Sequence, residues 1–188
     1  MWKNSELNGF LRKPFYISVE QQQSEWRNSS SLQNCSIVSM DFGGNCLSGN
    51  LPSWIESNIF MLRLWSNLFS EIIPRKWCSL YKLQILDLAQ NNLSGGIPDC
   101  FNNFIAMVDH NTSRYEPIEN YTEKAHIVTK GREYEYDHTL QFVTCIDLSR
   151  NSLTEGIPIQ ITSLTRLGTL NLWMNHLTGS IPKNIGKL

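Results

Sequence analysis

One asparagine-centred frame returns five times along this 188-residue chain, and few folds accommodate it. Its clearest copy is LQILDLAQNNLSGGIP, from Leu83 to Pro98. Counted from Asn91, apolar residues stand at −8 (Leu83), −5 (Leu86), −3 (Leu88) and +2 (Leu93), followed by Ser94 at +3, Gly95 at +4, Ile97 at +6 and Pro98 at +7. The frame also fits Asn45, Asn67, Asn151 and Asn175; around Asn175 it reads Leu167, Leu170, Leu172, Leu177, Thr178, Gly179, Ile181 and Pro182. Position +10 is apolar in every copy: Ile55, Trp77, Phe101, Ile161 and Ile185.

A frame of this kind with a period of roughly 20 to 29 residues marks a leucine-rich-repeat solenoid. Positions −5 and −3 alternate with polar neighbours, so each turn contributes a short strand, apolar side inward, and successive strands stack in parallel at about 4.8 Å. One turn cannot bury its apolar face alone, whereas a stack buries a continuous core. The asparagine falls where the strand bends inward, and its amide offers two donors and an acceptor to backbone groups that the bend removes from the ladder. Glycine at +4 permits a turn that a Cβ would strain, and proline at +7 ends a second short strand because it has no N–H to donate. The expected fold is an α/β-type repeat solenoid with a parallel β-sheet on its concave face and about five repeats interrupted by a non-repeat island, and its LSGGIP half-repeat resembles the plant type of leucine-rich repeat.

Spacing then divides the chain. Residues 1–30 carry a glutamine run (Gln21, Gln22, Gln23) and no sustained period, and are expected to be poorly ordered. Three repeats occupy 31–104, the island 105–139, and two further repeats 140–188, with a truncated end. The step from Asn45 to Asn67 is 22 residues against 24 from Asn67 to Asn91, which puts polar Asn58 on the convex side and predicts an irregular turn. From Asn91 to Asn151 the step is 60 residues, 36 more than a repeat. Within the surplus, AHIVTKGREYEY alternates like two strands around Lys130 and Gly131, which predicts partial order packed back on the concave face.

A net charge of −1 and a pI near 6.4 give no basic footprint for nucleic acid. No apolar run approaches the ~18 residues of a membrane span, and no apolar core of a leader follows Met1. None of the HExxH, GxSxG, GxGxxG or P-loop patterns is present, and no cysteine or histidine spacing suits a metal. The chain is read as a non-enzyme without cofactor or metal.

The LSGGIP half-repeat, the island, and TLQFVTCIDLSRNSL resuming directly after it resemble the ectodomains of plant leucine-rich-repeat receptor-like proteins, which include immune receptors for a fungal xylanase. Tyr121, Lys130 and Gly131 keep the spacing of that family's island motif. Departures are Glu71 in place of glycine, the order Glu155-Gly156, and tryptophan at Trp65 and Trp173 where small polar residues are usual. The resemblance implies a protein or peptide ligand, a co-receptor kinase as partner, and a place on the extracellular side of the plasma membrane.

Strand positions that face the concave side carry the ligand candidates: Arg63, Trp65, Asp87, Gln90, Arg150, Trp173 and Met174, joined from the island by Tyr121, Lys130 and Gly131. Exposed tryptophan and arginine dominate many interfaces; the alternatives for the tryptophans are drift in a chain no longer under selection, or packing beneath the island. Cys78 at +11 and Cys100 at +9 lie on adjacent turns, close enough for the ~5.5 Å Cα separation of a disulfide, as in the resembling family; two buried thiols are the alternative. Cys35, Cys46 and Cys145 read as small core or strand residues. Glycosylation sequons at Asn28, Asn34, Asn92, Asn111 and Asn120 suit a secreted context. Two further functional readings stand beside the receptor. One is an inhibitor of cell-wall-degrading enzymes, which would resemble an uninterrupted solenoid. The other is a truncated gene product without independent activity, suggested by the uncapped apolar end at Leu188.

Overall fold

The alternation at −5 and −3 produces a six-stranded, all-parallel sheet: β1 (Phe15–Ser18), β2 (Ile37–Asp41), β4 (Met61–Arg63), β6 (Ile85–Asp87), β10 (Cys145–Asp147) and β11 (Thr169–Asn171), in that spatial order. The computed structural model describes residues 15–18, 37–108, 125–129, 132–136 and 139–188. A flanking parallel sheet of β3 (Ser48–Asn50), β5 (Leu68–Ile72) and β7 (Asn92–Ser94) is the second strand of the turns of Asn45, Asn67 and Asn91, and a single bridge between Gly156 and Thr178 continues it. Between the sheets Leu62, Leu64, Phe69, Leu86, Leu88 and Leu93 are fully buried and continue into Trp77, Phe101 and Ile161 at +10. Removing each such side chain from water contributes about 2 kcal/mol.

Four of the five asparagines, from Asn67 on, tie their own bend to the turn before it. Asn91 Nδ2 donates to the carbonyls of Leu88 and Ala89 and also to Leu64 O at 3.0 Å, while its Oδ1 accepts the Phe69 N–H at 3.0 Å. Asn67, Asn151 and Asn175 repeat the pattern with Leu47, Leu93 and Leu153 as the donors. Asn45 donates to Phe42 O and Gly43 O.

On the convex side five-residue 3-10 turns, Arg75–Ser79, Asp99–Asn103 and Ile159–Ser163, begin directly after Pro74, Pro98 and Pro158, whose φ values of −63°, −58° and −66° set the entry. No 3-10 turn follows Pro52; the chain crosses 53–58 through irregular turns, as the 22-residue step predicts, and Lys82 Nζ donates to Asn58 Oδ1 at 3.1 Å. Cys78 and Cys100 form a disulfide with Cα atoms 5.5 Å apart, joining the first two 3-10 turns. The exposed pair Arg75 and Asp99, at 2.7 Å, bridges the same turns. Cys46 is exposed and free, Cys145 buried and free, and Cys35 lies outside the described residues.

One expectation needs correction. Of residues 1–30, read above as lying outside the repeat and poorly ordered, only 15–18 are described, and there Tyr16, Ile17 and Ser18 pair in parallel with Ser39, Met40 and Asp41, each 23 positions on; the rest of 1–30 lies outside the described residues. That separation is a repeat length, so β1 is a further turn of the sheet, whose four-residue alternation is too short to stand out beside the glutamine run.

Candidate ligand-binding face

On the concave side, alternate strand residues form columns running across the turns. The −6 column is apolar at Met61, Ile85 and Cys145, which are in register across β4, β6 and β10. These residues, with Phe60, Leu140 and Ile127, make a second buried cluster, flanked by Val38, Tyr136 and Val143. Ile127 belongs to the antiparallel hairpin of β8 (Ala125–Thr129) and β9 (Arg132–Tyr136), so the island folds back onto the concave face as expected. The sequence reading missed this seat, although apolar residues on the polar side of three successive strands are a usable signal for it.

The −4 column, Asp41, Arg63, Asp87, Asp147 and Asn171, is also in register. Arg63 Nη1 donates to Asp41 Oδ2 at 2.5 Å, and its Nε lies 3.7 Å from Asp87 Oδ2. Asp147 Oδ1 accepts from the Ser149 N–H and hydroxyl, and its Oδ2 accepts from Asn171 Nδ2 at 2.9 Å. Asp87 Oδ1 accepts the Ala89 N–H at 3.2 Å. Its carboxyl is pushed up to about 7, chiefly by burial, with Asp147 adding to the rise and Arg63 opposing it. Burial and the same two aspartates push the Cys145 thiol up to about 12. Arg63 and Asp87 were expected on the open face. They are instead 5% and 8% exposed, because the Asp–Arg–Asp sequence across the strands neutralises itself beneath its neighbours.

The −2 and −1 columns form the lip. Trp65 lies flat on Gly43, where a Cβ would stand inside the indole, and the Arg63 guanidinium is 5.9 Å from the ring centroid. The −1 residues Ser66, Gln90, Arg150 and Met174 take left-handed φ between 50° and 56°, a conformation imposed by the bend before each asparagine. Gln90, Arg150, Trp173 and Met174 are exposed, and the Arg150 guanidinium sits 5.1 Å from the Trp173 ring centroid. Tyr121, Lys130 and Gly131 lie outside the described residues, as do the sequons at Asn28, Asn34, Asn111 and Asn120. Asn92 is exposed on β7, where its Oδ1 accepts from the Ser152 hydroxyl at 3.3 Å.

A concave parallel sheet, a flanking strand in successive turns and an asparagine ladder define a leucine-rich-repeat solenoid of the plant type. The profile described as Leucine Rich Repeat matches residues 82–104, 142–164 and 166–188. Receptor-like protein EIX2 of Solanum lycopersicum is 39% identical over 155 residues, covering 74% of this chain and 15% of the relative. Receptor-like protein EIX1 of the same species is 35% identical over 145 residues, 68% of this chain and 14% of its own length. Among solved structures, the ectodomain of the Arabidopsis thaliana receptor kinase GASSHO1/SCHENGEN3, in complex with CASPARIAN STRIP INTEGRITY FACTOR 2, superposes with a TM-score of 0.64 at 25% identity, over 89% of this chain and 16% of that one. The chain belongs to the plant leucine-rich-repeat receptor-like proteins. It spans about one seventh of the length of the curated relatives it matches, 15% of EIX2 and 14% of EIX1.

Proposed function

We propose that this chain is the ligand-recognition and co-receptor-docking segment of a plant cell-surface receptor-like protein in defence or developmental signalling, working by binding rather than catalysis on the extracellular side of the plasma membrane. One observation carries the reading. The island hairpin is seated on the N-terminal columns of the concave sheet, and beside it an uncovered lip presents Gln90, Arg150, Trp173 and Met174. A rigid sheet that offers aromatic and cationic side chains next to an inserted hairpin suits a protein or peptide ligand and gives nothing to hold a reacting group. The receptor relatives, and the GASSHO1/SCHENGEN3 ectodomain in complex with CASPARIAN STRIP INTEGRITY FACTOR 2, favour this over a wall-enzyme inhibitor. No helix among the described residues is long and apolar enough to cross a membrane.

The test is co-precipitation of a SERK-type co-receptor kinase with the complete receptor in leaf tissue challenged with a microbial extract. Trp173→Ala combined with Gln90→Ala is expected to lower the challenge-dependent association about tenfold or more at unchanged surface abundance, since an interface anchor contributes about 2 kcal/mol. Undiminished association would remove the lip from the binding surface.

A further inference from the structure

The concave face holds the same side-chain pair twice, and the two copies differ in one component. In the first, Arg63 stands 5.9 Å from the Trp65 ring and gives a hydrogen bond to Asp41 Oδ2 at 2.5 Å, so the protein itself supplies the anion. Arg63 is 5% exposed and Trp65 half-buried against Gly43. In the second, Arg150 stands 5.1 Å from the Trp173 ring, but no carboxylate among the described residues comes within ion-pair distance of it. Here the components are open: Arg150 is exposed, Trp173 is 60% and Met174 56% exposed. Stacking on an indole holds a guanidinium in place while leaving its N–H edge free to donate.

We propose that Arg150, Trp173 and Met174 form a subsite for an acidic segment of a polypeptide partner, in which a partner carboxylate fills the place that Asp41 occupies at Arg63 and a neighbouring apolar side chain lies on Trp173 and Met174. The left-handed backbone at Arg150 and Met174, with φ of 54° and 52°, turns both side chains out from the strand ends on adjacent turns. Among the described residues Asp147, one strand position away from the lip, is already engaged, accepting three hydrogen bonds from Ser149 and Asn171. The charge that completes the site is assigned to the partner. A planar guanidinium favours a carboxylate, which takes two parallel N–H bonds, over a neutral amide of the same shape.

This inference rests on the receptor reading, but its test is separate from that one. The full chain is titrated calorimetrically with three short peptides that are identical except for a central Glu-Phe, Gln-Phe or Lys-Phe pair. The Glu-Phe peptide is expected to bind about tenfold tighter than its Gln-Phe counterpart, with Lys-Phe weakest. Arg150→Gln should equalise the Glu and Gln peptides, Trp173→Ala should weaken both by the same factor, and Arg75→Gln, which removes a cation on the convex side, should change neither. Thermal midpoints of the three variants monitor folding. Equal binding of the Glu and Gln peptides, a preference that survives Arg150→Gln, a preference lost in Arg75→Gln, or no binding by any peptide overturns the proposal. None of these results bears on co-receptor association in leaf tissue, so the receptor reading stands or falls on its own experiment.

Discussion

At position +4 the backbone is left-handed in every repeat, and two copies put glutamate where the others have glycine. Gly49, Gly95 and Gly179 have φ of 93°, 71° and 76°, while Glu71 and Glu155 are held at 67° and 64°. An L-residue in that region costs roughly 1–2 kcal/mol that glycine does not. Glu71→Gly and Glu155→Gly are each expected to raise stability by about 1 kcal/mol, read as a higher urea midpoint with an unchanged slope. The −1 position accepts the same strain at Gln90, Arg150 and Met174, where the side chain it projects is part of the lip.

Asp87 provides a second residue-scale prediction. Its folded-state pKa of about 7 lies above the ordinary 3.8, so the native chain binds this proton more tightly than the unfolded one. The associated stability is fully present below the unfolded value and is lost as pH rises through the folded one. Urea midpoints should therefore fall between about pH 4 and 7, and Asp87→Asn should flatten that decline. A wild-type midpoint that rises over this interval would contradict the assignment. The ladder asparagines and the exposed lip were legible in the sequence because a repeat fixes which way each position points. The burial of Arg63 was not legible, since it depends on Asp41 and Asp87 being in register on the neighbouring strands.

Among elements, the hairpin of β8 and β9 has the least support of its own, because two strands without a partner are marginal in water. Among its described side chains Ile127, 1% exposed, is buried with Phe60, Met61 and Ile85 of the solenoid, and Tyr136 packs against the same cluster. Ile127→Asp buries an unpaired charge in that seat and is expected to release the hairpin while the concave sheet stays formed. Hydrogen exchange checks this: amides of 125–129 and 132–136 should lose protection and those of β4 and β6 should keep it. Loss of protection throughout would mean that the island is part of the solenoid core. The hairpin was foreseeable from alternation around Lys130 and Gly131, but its landing place was not. Ile85 and Cys145 look like ordinary strand residues until the two turns are placed side by side.

At the scale of the whole molecule, one regular sheet runs past an irregular insertion without changing register. The hydrogen bonds show the join: Thr165 Oγ1 donates to Val108 O, Arg166 N–H to Met107 O and Arg166 Nη1 to Ala106 O, so the last turns are fastened to the segment that leads into the island. Spacing announced that architecture, since removing a repeat from the 60-residue step leaves the island as remainder. The seating of the two strands on either side had to come from the structure.

That join also sets the order in which the chain can assemble. Met61 and Ile85, partners across β4 and β6, are 24 positions apart, whereas Ile85 and Cys145, partners across β6 and β10, are 60 apart. Bringing the second pair together costs about 0.8 kcal/mol more in loop-closure entropy, for no additional strand length. In a solenoid whose turns add one after another, such a step is a pause. Each half would zip quickly from its own local contacts, meet late across the island, and part first at that same joint when the molecule unfolds.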